Sequence, residues 1–328
     1  MSQFYLVKMQ KNFIQDLSSV KLGKEHFMVS FDIDNMYGNV PKKEAIIALE
    51  ERLILSKKFS DAEVKEIIKM VTEISEQNYF SWENKTYYDN KGLPMGGPLS
   101  ALLAEVFLQK LENSEIKTQK NPFSKKITYY YRYVDDIFMV LKGTTNEANN
   151  LLKYCNTIHQ TIKFKIETEV NSVLNFLDVK IIRKGDIIEF GVYRKPTQTD
   201  LIIPKNSNHP YAYKMAALRS MVNRMLTYKL SSEEYDKEKN IIKQIAINNG
   251  YDFDLVDNLI RKIKFRLLNQ KELRETCKFV PFFYTNKNSE LIGKVLKKES
   301  IYPGYKISKK LSLNHRKADM GKKDQKGV

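Results

Sequence analysis

Two adjacent carboxylates, Asp135 and Asp136, interrupt the run Thr128-Tyr-Tyr-Tyr-Arg-Tyr-Val-Asp-Asp-Ile-Phe-Met-Val-Leu141. Both flanks have the aromatic and β-branched composition of short strands, so the spacing predicts a hairpin with the two aspartates at its tip. Asp-Asp is also an ordinary surface turn, because both residues tolerate turn geometry. Upstream, His26-Phe-Met-Val-Ser-Phe-Asp-Ile33 reads as a buried strand ending at Asp32. If the two strands are neighbours, three carboxylates converge at one sheet edge. Hard oxygen ligands of this kind suit Mg²⁺, with Mn²⁺ as a substitute; Mg²⁺ keeps several waters and binds substrate phosphates. Two such ions, about 3.5–4 Å apart, hold both the attacking and the leaving oxygen of an in-line phosphoryl displacement.

Between these acids lies Asn90-Lys-Gly-Leu-Pro-Met-Gly-Gly-Pro-Leu-Ser100. Three glycines and two prolines in residues 92–100 force an irregular loop with close backbone approach. Alone it is compatible with a plain loop, a phosphate cradle, or a surface on which a nucleotide lies flat. Asp34 and Asp178 read as surface-turn or strand-end residues. Lys163, Lys165 and Lys180 are candidate proton donors to pyrophosphate, and nothing in the sequence selects among them. His26, His159, His209 and His315 show no ligand spacing.

The elements that must position these residues follow from periodicity. Residues 1–26 form a short polar lead-in with some apolar spacing. A helix begins near Pro41, with Ala45, Leu49 and Leu53 on one face. Ser60-Asp-Ala-Glu63 is a capping box that opens a second helix. Tyr79–Trp82 and Thr86–Tyr88 predict a small hairpin, and residues 99–113 and 145–160 predict helices. Lys163–Glu169, Leu174–Arg183 and Ile187–Tyr193 predict strands, with Lys184-Gly-Asp186 as a turn. The first two hundred residues therefore alternate helices with mostly non-local strands, a two-layer α+β arrangement. Beyond Pro210 the pattern is all-helical, over 210–228, 232–248 and 253–272, with Asn249-Gly250 as a stop and Asp252 as a cap. From about 278 the pattern weakens, and the lysine-rich tail from Ser308 reads as disordered.

Composition narrows the partners. The 328 residues carry 55 Lys and Arg against 39 Asp and Glu, a net charge of +16, which attracts a polyanion, most often nucleic acid. No apolar run is long enough to span a bilayer, and the N-terminus lacks the apolar stretch of a secretion signal. Cys155 and Cys277 have no metal spacing and read as reduced thiols of an intracellular protein.

Phe31-Asp32-Ile-Asp-Asn-Met-Tyr37, Gly92–Ser100 and Tyr133-Val-Asp-Asp136 resemble, in order, the three palm motifs of reverse transcriptases, and most of all those of the Penelope-like retroelement branch. Asn39-Val-Pro41, Leu103-Ala-Glu105, Asn175-Phe-Leu-Asp178, Tyr193-Arg-Lys-Pro-Thr197 and Asn249-Gly-Tyr251 extend the resemblance over about residues 27–265. It implies a right-hand polymerase palm, an antiparallel sheet packed on helices, followed by an all-helical thumb-like region and a basic tail. The implied divisions are 1–204 for the palm with partial fingers, 205–275 for a helix-turn-helix or thumb-like domain, and 276–328 for a basic, partly disordered linker. The implied reaction is RNA-directed DNA synthesis with an RNA template, a DNA primer, dNTPs and two Mg²⁺ ions, at an intracellular, nuclear location. Asp32, Asp135 and Asp136 are then the metal ligands. Tyr37 lies under the incoming sugar and screens out a 2′-hydroxyl. Gly96, Gly97, Pro98 and Ser100 shape the nucleotide pocket. Tyr133 and Val134 lie near the primer end, with Arg194 and Lys195 near the primer grip.

This sequence departs from the pattern in places. Asp89 stands where the family commonly has Gln, which is expected to weaken the pocket, and Gly97 replaces a usual Ser. Only 31 residues precede Asp32, where family members have a long fingers region, and the chain stops at a segment resembling the lead-in to a GIY-YIG nuclease. These features predict a truncated copy of a retroelement protein. The alternatives are a catalytically dead remnant that still binds nucleic acid, and a free-standing helix-turn-helix protein.

Overall fold

The computed structural model describes residues 12–89, 91–269 and 278–307. The chain divides into two compact units at Tyr193/Arg194, ahead of the expected 204/205 boundary.

The first unit begins with a helical segment over residues 12–17 and continues through β1 (His26–Ile33), α1 (Met36–Asn39), α2 (Lys42–Ser56) and α3 (Asp61–Glu76). The hairpin β2 (Tyr79–Trp82) and β3 (Lys85–Tyr88) follows, then α4 (Ser100–Leu111), β4 (Ile127–Tyr133), β5 (Asp136–Lys142) and α5 (Thr145–Cys155). The unit ends with β6 (Phe164–Thr168), β7 (Val173–Phe176), β8 (Val179–Lys184) and β9 (Ile187–Val192). The capping box foreseen at Ser60 is present: the Glu63 N–H reaches the Ser60 hydroxyl, and the Glu63 carboxylate accepts from the Ser60 N–H.

The central sheet has the order β4-β5-β1-β6, and every pair in it is antiparallel. Its strand alternation separates two buried faces. Val29, Phe31, Ile33, Ile137, Met139 and Leu141 pack on α2, α4 and α5. On the other face, Phe138 meets Phe13 and Phe176 at ring distances of 5.2 and 5.6 Å. The lead-in thus supplies core: Phe13, Ile14 and Leu17 are fully buried, each worth about 1.5–3 kcal/mol of transfer free energy. Because β5 is covered on both faces, Ile137 to Leu141 are buried without alternation.

The expected strand 174–183 is broken in two. Leu177 takes a φ of 54°, turning the chain between β7 and β8, and Asp178 joins that turn. The Asp178 carbonyl accepts from the Tyr193 N–H at 2.9 Å, closing a three-stranded sheet, β7-β8-β9.

The second unit contains α6 (Tyr211–Lys214), α7 (Ala216–Thr227), α8 (Ser232–Asn248) and α9 (Asp254–Leu268). Leu218, Val222, Ile242, Ala246, Val256 and Ile260 form their common core. The helix α8 stops at Asn249, with Gly250 at a φ of 78°, where a side chain would be strained. Asp252 does not cap α9; its carboxylate pairs with Lys205 at 2.8 Å. The expectation that the region is all-helical and trails into a linker gives way over 278–307. There β10 (Lys278–Tyr284) and β11 (Ile301–Ile307) pair in parallel, bridged by α10 (Lys287–Lys298). Parallel strands need such a crossover, so local periodicity does not announce the pair. The tail from Ser308 lies outside the described residues.

Candidate functional site

The pairing register brings the predicted acids together. Asp32 in β1 lies opposite Asp136 in β5, so both side chains leave the same face of the sheet. The same row continues to Tyr133 in β4 and to Lys165 in β6. The Ile33 N–H donates to the Asp135 carbonyl at 3.2 Å, tying the hairpin tip to the end of β1. This face is the one opposite the helical layer.

The tip is a two-residue turn, Val134-Asp135. Val134 holds a φ of 57°, uncommon for a β-branched residue and typical of strain kept at working sites. Arg132 keeps it there. Its guanidinium is 6% exposed and donates to the Val134 carbonyl at 2.9 Å. It forks onto Glu105 of α4 at 2.8 and 2.9 Å and pairs with Glu112 just beyond that helix. Burial opposes the Arg132 charge, but the two carboxylates outweigh it and raise its pKa. Sequence reasoning missed this tie. Glu105 was noted only as part of a matching motif, and nothing local says that an arginine inside a strand will meet two glutamates from the helical layer.

The electrostatics of the row are those of crowded anions. Withdrawal from water and the neighbouring Asp135 push the Asp32 pKa above the usual carboxylate range, although the residue retains exposed surface. Like charges held this close favour a cation between them. Among the described residues, no three Asp, Glu, His or Cys side chains are gathered tightly enough to hold an ion unaided. Asp32 and Asp136, paired in register, offer hard carboxylate oxygens, the donor chemistry that suits Mg²⁺ when substrate phosphates and water complete its shell. Asp34 stands beside the row, exposed, and pairs with Lys165 at 2.5 Å. That pairing raises the Lys165 pKa, with a smaller contribution from Asp32. Of the three candidate proton donors, Lys165 is thus the one in register with the acids. Lys163 donates instead to the carbonyls of Asn156 and His159, and Lys180 lies in β8.

The glycine-rich loop closes one side. Gly92, at a φ of 58°, packs so closely on the Tyr37 and Gly38 carbonyls that a Cβ would collide with them. The Leu93 N–H donates to the Tyr37 carbonyl at 2.7 Å. Tyr37 is half-buried, and its hydroxyl pKa is raised first by burial and then by Asp135 and Glu105. A Cβ at Gly97 would lie 2.6 Å from the Ser100 hydroxyl, which is itself bonded to the Pro94 carbonyl at 2.6 Å. This explains why glycine rather than serine fits at position 97. Gly96 and Pro98 are exposed, whereas Ser100 is buried and turned inward to its own loop. Asp89 accepts from the Lys91 N–H at 2.9 Å, and the Asp89 N–H donates to the Asn78 carbonyl at 3.0 Å. It clamps the base of β2–β3.

Arg194 and Lys195 fall in the second unit. The Arg194 guanidinium is committed to the buried Glu238 carboxylate, with Nη2 to Oε1 at 2.6 Å. It is an internal tie rather than a free phosphate contact, while Lys195 remains exposed. In the helical bundle, Arg261, Lys262, Lys264 and Arg266 of α9 are exposed.

Residues 2–172, over half of the chain, match the family described as reverse transcriptase (RNA-dependent DNA polymerase). The chain belongs to the reverse transcriptase family. Residues 201–261 match the animal helix-turn-helix domain. The telomerase reverse transcriptase of Oxytricha trifallax is 23% identical over 164 residues, 48% of this chain and 14% of that protein. That of Euplotes aediculatus is 25% identical over 162 residues, 45% of this chain and 15% of that protein. The chain thus spans only a small part of the relatives it matches. The structure of telomerase from Candida albicans in complex with a fragment of telomeric RNA shares the fold, with a TM-score of 0.52 at 12% identity. That likeness covers 82% of this chain and 50% of the other. The fold of this reverse transcriptase chain is a polymerase palm, an antiparallel sheet packed on helices, followed by a thumb-like helical region.

Proposed function

We propose that this chain extends a DNA primer on an RNA template, as the polymerase portion of a retroelement protein of the Penelope-like branch. The observation that carries the reading is the register pairing of Asp32 with Asp136, with Asp135 bonded through its main chain to β1. Asp32, Asp135 and Asp136 would hold two Mg²⁺ ions. When bound, such ions supply charge stabilisation for the attacking and leaving oxygens of nucleotidyl transfer.

The remaining roles belong to the chain's own residues. Tyr37, braced by the loop at Leu93, would lie beneath the incoming dNTP sugar and refuse a 2′-hydroxyl. Gly96, Gly97 and Pro98 would form the wall of the nucleotide pocket, with Ser100 holding that wall in shape. Tyr133 and Val134 would support the primer end. Lys165, paired with Asp34 and in register with Asp32, would be the proton donor to departing pyrophosphate. Residues 205–275, with the exposed cations of α9 and with Lys195, would grip the duplex backbone in a sequence-blind, salt-sensitive way. A DNA primer and an animal-type helix-turn-helix segment favour action in the nucleus.

The experiment is primer extension on an RNA template with Mg²⁺ and dNTPs, comparing the parent chain with Asp135→Ala. Incorporation that disappears in the variant supports the reading. Absence of incorporation in both, with salt-sensitive duplex binding retained, would make the chain a nucleic-acid-binding remnant.

A further inference from the structure

The hairpin β2–β3 takes no part in the site above. All eight of its strand residues are exposed. Five are aromatic, namely Tyr79, Phe80, Trp82, Tyr87 and Tyr88, and none is aliphatic. The register sorts them. Phe80 pairs with Tyr87 and Trp82 with Lys85 on one face, while Tyr79 pairs with Tyr88 and Ser81 with Thr86 on the other. The Phe80 and Tyr87 rings stack at 5.3 Å and 15°. The Lys42 ammonium stands 5.9 Å over the Tyr88 ring. Lys91 follows just past the hairpin base.

A two-stranded ribbon is marginal in water by itself, and five rings exposed on one point to an occupant. A protein docking face ordinarily mixes aliphatic with aromatic side chains; the face formed by Phe80, Tyr87, Trp82 and Lys85 presents flat rings and an ammonium group. Rings present π-faces to bases and lysines meet phosphates, the two ingredients of single-strand binding. The chain's charge of +16 has the matching sign. The hairpin also has a fixed bearing on the site. Asp89 clamps its base, and three residues later Gly92 touches Tyr37 and Gly38.

We propose that the hairpin Tyr79–Tyr88 binds single-stranded RNA by stacking bases on the Phe80–Tyr87–Trp82 face, with Lys85 on that same face meeting phosphates. That the strand so held is unpaired template rests on the polymerase reading; the binding itself does not.

Trp82 is the chain's sole tryptophan, so its emission reports on this face alone. The full chain is titrated with a dye-labelled twelve-residue oligouridine, following Trp82 emission and RNA anisotropy together. Stacking predicts salt-sensitive quenching that tracks the anisotropy rise, and little quenching by a blunt RNA duplex. Phe80→Leu/Tyr87→Leu keeps apolar bulk but removes the rings, and should weaken binding by about 5- to 100-fold. Its circular dichroism and thermal midpoint should match the parent, because both side chains are exposed. Anisotropy that rises with unchanged Trp82 emission and equal affinity in the double variant would place the RNA elsewhere and overturn the proposal. So would an emission shift that depends on protein concentration and ignores RNA, which would mean that a second copy covers the hairpin. Quenching that persists in an Asp135→Ala chain, alongside a parent chain that extends no primer, would sink the polymerase reading and leave this one standing.

Discussion

Two hairpins in this chain start from similar material and end in opposite states. Both β2–β3 and β4–β5 are short, antiparallel and rich in aromatics, and both turn through two residues. The first has φ values of 50° and 61° at Glu83 and Asn84, and all eight of its strand residues are exposed. The second has its positive φ at Val134, and its strand β5 is buried between β4 and β1 with side-chain layers on both faces. Arg132 then fixes the turn from behind. Local composition makes a hairpin in either place, and only the surroundings decide whether it is a rigid mount or an adaptable surface.

The comparison is most easily broken at the tip of the buried hairpin. Asp135→Ala, and separately Asp32→Ala, should cut nucleotide incorporation by about a hundred- to a thousandfold, the scale of losing a group that stabilises transition-state charge. Their denaturation midpoints should stay near the parent's, since removing one member of a crowded acidic pair relieves repulsion. Variants that retained activity would deny the row Asp32–Asp136 its proposed role.

A second probe asks how closed the layer beneath the sheet is. Burial pushes the Cys155 thiol up to about 12 from an ordinary value near 9. In a Cys277→Ser background, alkylation at pH 8 should be slower than for the unfolded chain by up to about a thousandfold, following the lost thiolate fraction. The sign for stability follows: the unfolded thiol deprotonates first, so stability falls as pH rises from about 9 towards 12 and is unaffected below 8. Rapid labelling of native protein would show that α5 opens away from the sheet.

The tie behind the turn comes next. Arg132→Met leaves Glu112, 8% exposed, with the half-exposed Lys117 as its remaining counter-charge at 3.2 Å, and strips Glu105 of its guanidinium partner. The expected cost is about 3–5 kcal/mol, read as a lower urea midpoint. Pairing the change with Glu112→Gln and Glu105→Gln should recover part of that loss without recovering full incorporation, because the Val134 carbonyl still lacks its donor. Full recovery of both would reduce Arg132 to charge balance alone.

The smallest effect belongs to the open hairpin. Asn84→Gly suits the left-handed turn and should move the global midpoint by less than about 0.5 kcal/mol. It should nevertheless slow amide exchange at Phe80 and Tyr87, the hydrogen-bonded pair nearest the strand middle. A large global shift would mean that β2–β3 is integrated into the core after all.

Much of this was legible without coordinates. The acids, the glycine-rich loop and the capping box at Ser60 are local signals, and local signals survive folding. The break at Leu177 was only half legible: Asp178 read as a turn or strand-end residue, but the apolar residues on either side of it continue a strand pattern and nothing local marks a positive φ at a leucine. The use of Phe13, Ile14 and Leu17 as the lid of the second sheet face was not legible, since three apolar residues in a polar stretch have no partner until β5 and β7 are assembled. Arg194 looked like a free cation beside Lys195. Its commitment to Glu238 depends on a helix forty residues away in the chain.

The sequence by itself determined the family, the sign of the charge and the identity of the acidic row, because these rest on residue type and near spacing. The tertiary structure alone decided that Asp32 faces Asp136, that Lys165 rather than Lys163 stands in their row, and that Arg132 braces the turn. Those facts depend on strand register and on which helix covers which face. Register is set by long-range burial, where shifting a strand by one residue would turn every side chain to the opposite face.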